Sequence, residues 1–325
     1  MFSTLIVPLD GSQLAERAVP YAIRLAQASR ARLVLTQAVF ASPSATPGSA
    51  DREAGQLETS AEARAYLAQM AESMSGQVGP VEITVPCGRP AEKILEAIVE
   101  YQADGVVMTT HGRTGFDHLL HGSVTEAVLA RSNVPVFVVY ARPGQAAAPP
   151  FSPSNARLLV PQNASEFDAP ALQAAVEMLG PQGEIVLEMV VAPPEHVVVD
   201  STGRHVLSYL DQQEEARMRV ARDYLAGVAE PLRNGPMQIS VKIDVRLGDP
   251  ASGIAMAALD TQADLIVMGT HGRTGVQRAM LGSVAGTVLR TASTPVVLVR
   301  PSIAPPPDVG IAEQVAGEFG PIPTF

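Results

Sequence analysis

The chain carries MTTHGRTGFDHLLHGS at Met108–Ser123 and MGTHGRTGVQRAMLGS at Met268–Ser283. Aligning Ala103–Val139 with Ala263–Val299 needs no gap and leaves roughly half of the positions identical. Outward from these phrases the likeness continues. LIVPLDGS (Leu5–Ser12) matches LLVPQNAS (Leu158–Ser165), and RLVLTQAVF (Arg32–Phe40) matches EIVLEMVVA (Glu184–Ala192). CGRPAEKILEAI (Cys87–Ile98) matches LGDPASGIAMAA (Leu247–Ala258). The motifs keep their order, so one unit is written twice.

Each unit reads strand, helix, strand, long helix, strand, helix, strand, helix, strand. In the first, the runs Thr4–Leu9, Arg32–Val39, Val81–Val85, Gly105–Thr109 and Val134–Tyr140 are short, apolar and rich in β-branched residues. That pattern predicts strands buried on both faces. Gln13–Ser29 and Pro90–Tyr101 carry apolar residues at helical spacing. Alternating β and α predicts an α/β fold, a parallel sheet with right-handed crossovers and helices on both faces. The expected division is a first domain at 1–142, a proline-rich linker at 143–156, a second domain at 157–301 and an aperiodic tail at 302–325. The segments Ala41–Glu58 and Pro193–His205 differ between the units and read as inserted lids or partner surfaces.

Composition bounds the function. The chain has 325 residues, 46% of them apolar and 17% charged, enough for two packed cores. A net charge of −10 argues against nucleic acid as a partner. The single cysteine, Cys87, excludes an intramolecular disulfide and fits a reducing cytoplasm. MFSTLIVPLDGS has no basic region or long apolar run, and the apolar stretches are strand-sized, so neither a signal peptide nor a membrane span is expected.

The repeated phrase suits an anion. In the second copy Gly269, Gly272 and Gly275 follow a strand, and Gly282-Ser283 opens a helix. Glycine lets the backbone approach a ligand closely, and Ser283 at an N-cap would join the free N–H groups of the first turn in holding a phosphate. The spacing is neither G-x-G-x-x-G, which would need glycine at Thr270, nor a lysine-bearing phosphate loop. Spacing alone also permits an ordinary strand-to-helix turn without a ligand.

Taken together, VPLDGS, GRPAEKI and THGRTG…LGS followed by PVVLV resemble the universal stress protein family. The resemblance covers both units, as in a tandem member of the ATP-binding branch. It implies two Rossmann-like domains of the adenine nucleotide α-hydrolase-like type, each a five-stranded sheet of order 3-2-1-4-5. Ligands of such sheets sit where the strand order reverses, between the first and fourth strands. The family's acidic residue beside the ribose maps to Asp10 and, in the second copy, to Asn163. Its adenine-facing position maps to Val39 and Val191. Its phosphate-facing positions map to Gly112, Gly122, Ser123 and Val124, and to Gly269, Gly272, Gly282, Ser283 and Val284. Thr109 replaces the first glycine of the phrase in the first copy. Its hydroxyl either presses on the ribose or hydrogen-bonds to it. Asn163 keeps an acceptor oxygen but lacks the charge.

The resemblance therefore implies ATP, or ADP or AMP, with magnesium held by the phosphates rather than by protein side chains. Beyond the nucleotide, it implies regulatory protein partners. The last strands, VPVFVVY and TPVVLVR, are the family's pairing edges. One chain bearing both can join them internally, and association of two chains is left open. His111 and His271 read as loop-ordering, Arg113 and Arg273 as phosphate-reaching or solvated. His118 and His121 lack a third metal ligand, and Ser12 and Ser165 read as helix N-caps. No nucleophile with a base and no paired carboxylates accompany the glycine phrases, so an efficient enzyme is not expected; very slow ATP hydrolysis or self-phosphorylation is the most the family implies. LDGS and QNAS stand where a related hydrolase or ligase would carry an SGG-type loop. The reading is a nucleotide-dependent stress-response regulator, against a nucleotide-free scaffold with degenerate sites.

Overall fold

A computed structural model of the chain describes residues 2–39, 50–110, 123–140, 153–165, 168–193, 205–270 and 282–300. The first unit runs β1 (Thr4–Pro8), α1 (Gln13–Glu16), α2 (Val19–Ser29), β2 (Arg32–Thr36), α3 (Ala50–Ser73), β3 (Val81–Thr84), α4 (Pro90–Glu100), β4 (Gly105–Thr109), α5 (Ser123–Arg131) and β5 (Val136–Val139). The second runs β6 (Arg157–Pro161), α6 (Asp168–Met178), β7 (Glu184–Val191), α7 (His205–Asn234), β8 (Ser240–Leu247), α8 (Pro250–Asp260), β9 (Leu265–Gly269), α9 (Ser283–Thr291) and β10 (Val296–Val299).

All ten strands form one sheet, in the order β3-β2-β1-β4-β5-β10-β9-β6-β7-β8. Pairing is parallel within each half, and β5 meets β10 antiparallel at the centre. Strands this deep must be apolar on both sides, which is why Leu5, Ile6 and Val7 are all fully buried. Leu5 and Val7 pack under α1, α2 and α3, with their counterparts under α6 and α7. Ile6 and Leu159 face the other way, under α4, α5, α8 and α9. Two layers of helices thus sandwich the sheet.

Several boundaries differ from the sequence reading. Gln13–Ser29 is two helices, because Pro20 has no N–H to donate and sits in the first turn of α2, where that loss is harmless. Regular pairing of β2 ends at Thr36, and Val39 makes a single bridge to Cys87. The supposed insert Ala41–Glu58 is helical from Ala50, as the start of α3. Its first part, 41–49, lies outside the described residues, as do 194–204, most of the linker and the tail 302–325.

Candidate functional site: two crevices on opposite edges of the sheet

The central strand of each half parts from its neighbour early. β1 and β4 register only at Leu5↔Gly105 and Ile6↔Val106, whereas β1–β2 pairing continues to Pro8↔Thr36 and β4–β5 to Thr109↔Val139. The second half repeats this. β6 and β9 register at Leu158↔Leu265 and Leu159↔Ile266, while β6–β7 runs on to Pro161↔Glu188. Beyond Ile6 and Leu159 each pair opens into a crevice at the carboxyl edge, where the strand order reverses. At the carboxyl ends of the first half's strands, Asp10 follows β1, Val39 follows β2 and Thr109 closes β4. In the second half Asn163 follows β6, and Val191 and Gly269 close β7 and β9.

The loop after the first strand is built differently in the two copies. In the first, Gly11 takes a left-handed φ of 80°, and the Ser12 N–H donates to Asp10 Oδ1 at 3.0 Å. Ser12 caps α1 by accepting the Ala15 N–H at 3.1 Å. In the second, Ala164 occupies the left-handed position with φ 57°. There the carboxylate comes from Asp168, the first residue of α6. It accepts the Asn163 N–H at 2.8 Å and the Ser165 N–H at 3.2 Å through Oδ2, and the Ser165 hydroxyl at 3.3 Å through Oδ1. The described part of α6 starts at Asp168, three residues after Ser165, whose hydroxyl donates to that carboxylate. Burial pushes the Asp168 carboxyl up to about 6, against the opposing pull of these donors.

A tyrosine from the long helix stands by each carboxylate. ARAYLA in α3 matches ARDYLA in α7, which makes Tyr66 and Tyr224 counterparts. The Tyr66 hydroxyl donates to Glu16 Oε1 at 3.0 Å, and burial with the charges of Glu16 and Asp10 raises its phenol. Burial, then the charge of Asp168, pushes Tyr224 up to about 12.

On the phosphate side, the ends of the glycine phrase are tied together. The Gly282 N–H donates to the Thr270 carbonyl at 2.8 Å, closing the segment between β9 and α9. Gly282, with φ −55°, is the cap residue of α9, and Ser283 is its first helical residue, so the helix begins one residue earlier than an N-cap at Ser283 implies. The first intrahelical backbone bond runs from the Gly286 N–H to the Gly282 carbonyl, so the preceding N–H groups of Ser283, Val284 and Ala285 have no acceptor within the helix. No acidic side chain stands in that first turn, which suits a phosphate. In the first copy α5 begins at Ser123 and is followed by Val124, with Glu126 in the first turn. The Thr125 hydroxyl anchors it to the Thr109 carbonyl at 2.9 Å. Thr109 itself is buried.

Val39 and Val191 are both buried, and their carbonyls accept the Gly88 and Gly248 N–H groups at 3.0 Å. Gly112, Gly122 and Gly272 lie outside the described residues, as do His111, Arg113, His118, His121, His271 and Arg273. Among the described residues, no group of three or more His, Cys, Asp or Glu side chains is arranged to hold a metal. Nor is any helix among them long and apolar enough to cross a membrane.

The model of the Universal stress protein family matches residues 1–140 and again residues 155–300. This chain belongs to the universal stress protein family. A universal stress protein of Mycobacterium tuberculosis is 30% identical over 204 residues, which cover 63% of this chain and 64% of that relative. One from Mycolicibacterium smegmatis is 26% identical over 302 residues, covering 91% and 97%. The crystal structure of a universal stress protein from Archaeoglobus fulgidus superposes with a TM-score of 0.64 at 21% identity, over 92% of this chain and 97% of that one. The tandem arrangement and the Rossmann-like α/β fold are therefore those of a two-domain universal stress protein.

This universal stress protein also carries buried or half-buried polar groups that the sequence reading passed over. Asp168, Tyr66 and Tyr224 are three. Glu188 is a fourth: it ends the β6–β7 register, is 1% exposed, and its Oε1 has no hydrogen-bond partner. Burial and the neighbouring Asp244 push its carboxyl up to about 8, with Arg246 pulling the other way. Thr36 holds the equivalent place in the first copy, also buried and with its Oγ1 unpartnered. A glutamate inside the otherwise apolar run EIVLEMVVA was the available signal.

Proposed function

We propose that this universal stress protein binds adenine nucleotide in its crevices and acts as a nucleotide-dependent stress-response regulator of the cytoplasm. The observation that carries the reading is the early parting of β1 from β4 and of β6 from β9, with the glycine phrase leaving the inner strand of each pair. In this reading the phosphates meet the first-turn N–H groups of α9, through Ser283 and Val284, and those of α5, through Ser123 and Val124. The ribose meets Asp10 or Asn163, and the adenine lies toward Val39 or Val191. Magnesium is carried by the phosphates. The glycines at Gly112, Gly122, Gly269, Gly272 and Gly282 leave the backbone open to the ligand. The two domains span 1–142 and 157–301.

Among the described residues no nucleophile–base pair stands at these strand ends, and we read the protein as a binder rather than an enzyme. Sustained turnover of ATP at ordinary enzyme rates, about 1–1,000 per second, contradicts this. Calorimetric titration with Mg·ATP and with adenosine tests the phosphate side. A Gly282→Val variant loses the preference of the second crevice for ATP over adenosine; an unchanged preference contradicts the assignment.

A scaffold role without nucleotide is the rival. It is favoured by α8, where Met256 and Leu259 are 58% and 61% exposed one turn apart. Protein that takes up no adenine nucleotide under any tested condition leaves that role in its place.

A further inference from the structure

We propose that Asp168 is the positioning residue of the second crevice: its carboxylate holds the loop 163–165 in the form that presents the Asn163 amide to the ligand. The proposal rests on the nucleotide reading above. In the first copy one residue does both tasks in that reading: Asp10 is the residue assigned to the ribose, and it also accepts its own loop's Ser12 N–H. In the second copy the tasks are divided. Asn163 is exposed at the crevice, and the loop's donors turn to Asp168, five residues on.

Three features of the chain support this division. The position equivalent to Asp168 in the first copy is Ala15, so the carboxylate is new where the old one was lost. The donors include the successive N–H groups of Asn163, Ala164 and Ser165, which a single buried carboxylate gathers only if the loop keeps one shape. That shape needs a left-handed residue, and the chain keeps it although alanine replaces Gly11 there. The asparagine is thus not simply a degraded aspartate. Its amide is released from holding the loop and can both donate and accept toward a ribose hydroxyl.

The surroundings make the arrangement sensitive to acid. From α7 the titratable group facing Asp168 is Tyr224. The strands beneath α6 contribute the apolar side chains Leu158, Val160, Val267 and Val299. With the Asp168 carboxyl pushed up to about 6 by burial, it is ionised at pH 7.5 and largely protonated at pH 5. Protonation weakens its hold on the loop N–H groups, because a charged acceptor is the stronger one. In the first copy the aligned position is Ala15, and the loop donor Ser12 N–H goes to Asp10 itself.

The test pairs calorimetry with amide spectroscopy on the full chain. Mg·ATP is titrated into wild type, Asp168→Asn and Asp168→Glu at pH 7.5 and pH 5. The expected result is that one class of sites in wild type weakens by about tenfold at the lower pH. In Asp168→Asn that class is weak at both values, and Asp168→Glu restores the pH dependence. Two classes that respond equally to pH, or an Asp168→Asn profile matching wild type, overturn the proposal. Without nucleotide, the Asn163 and Ser165 amide resonances should follow a titration near pH 6. Amides that titrate in a chain binding no nucleotide sink the nucleotide reading while keeping Asp168 as the holder of the loop. Amides that stay flat overturn the proposal whatever the chain binds.

Discussion

Phe137 of β5 and Val297 of β10 stand opposite one another in the antiparallel register that fuses the two halves into one sheet. Both are buried, and the Phe137 ring meets Phe2 edge-on with centroids 5.6 Å apart. The Arg300 guanidinium reaches across the same junction to the Ala130 carbonyl. The two repeats therefore share an interior, and their unfolding should be coupled.

Placing a carboxylate at that junction should uncouple them. Val297→Asp buries an unpaired charge at a cost of several kcal/mol, and at about 2–4 °C per kcal/mol the midpoint should fall by roughly 10 °C. Differential scanning calorimetry should then resolve two transitions instead of one. A single transition at the wild-type temperature contradicts the shared interior.

Glu188 predicts an alkaline weakness. Its carboxyl, held up at about 8, binds its proton more tightly in the folded chain than in the unfolded one. The stability this contributes is full below about pH 4.5 and is lost as pH rises through 8. Thermal midpoints should therefore decline between pH 6 and pH 9, and Glu188→Gln should flatten that decline. Parallel profiles for the two proteins would show that the carboxyl is not held neutral.

The loop after β6 predicts a stabilising substitution. Ala164 sits at φ 57°, where a Cβ is unfavourable and where the first copy has Gly11. Ala164→Gly should raise stability by about 1 kcal/mol, read from denaturant midpoints at constant slope. A loss of stability would mean that the loop is not strained.

Much of this architecture is written locally. Leu5–Val7 and its counterpart Leu158–Val160 read as doubly buried strands because nothing polar interrupts them, and the repeat identifies both crevices at once. What escaped the sequence depends on chain reversal. Pairing of Asp168 with the Asn163 N–H follows from a turn whose left-handed residue is alanine, which no turn preference announces. Tyr66 reaches Glu16 from a helix 50 residues away, and helical spacing alone marks it only as half-buried. The N-cap of α9 fell one residue early, on Gly282, because serine is the commoner cap and the Gly282 N–H is drawn back to Thr270.

The central claim is that the crevices hold adenine nucleotide. Freshly purified protein should be denatured, and the adenine nucleotide released should be quantified by chromatography per mole of chain, with and without prior incubation in Mg·ATP. The account predicts between one and two equivalents, with two meaning that neither Thr109 nor Asn163 disables its crevice. No release in either case contradicts it.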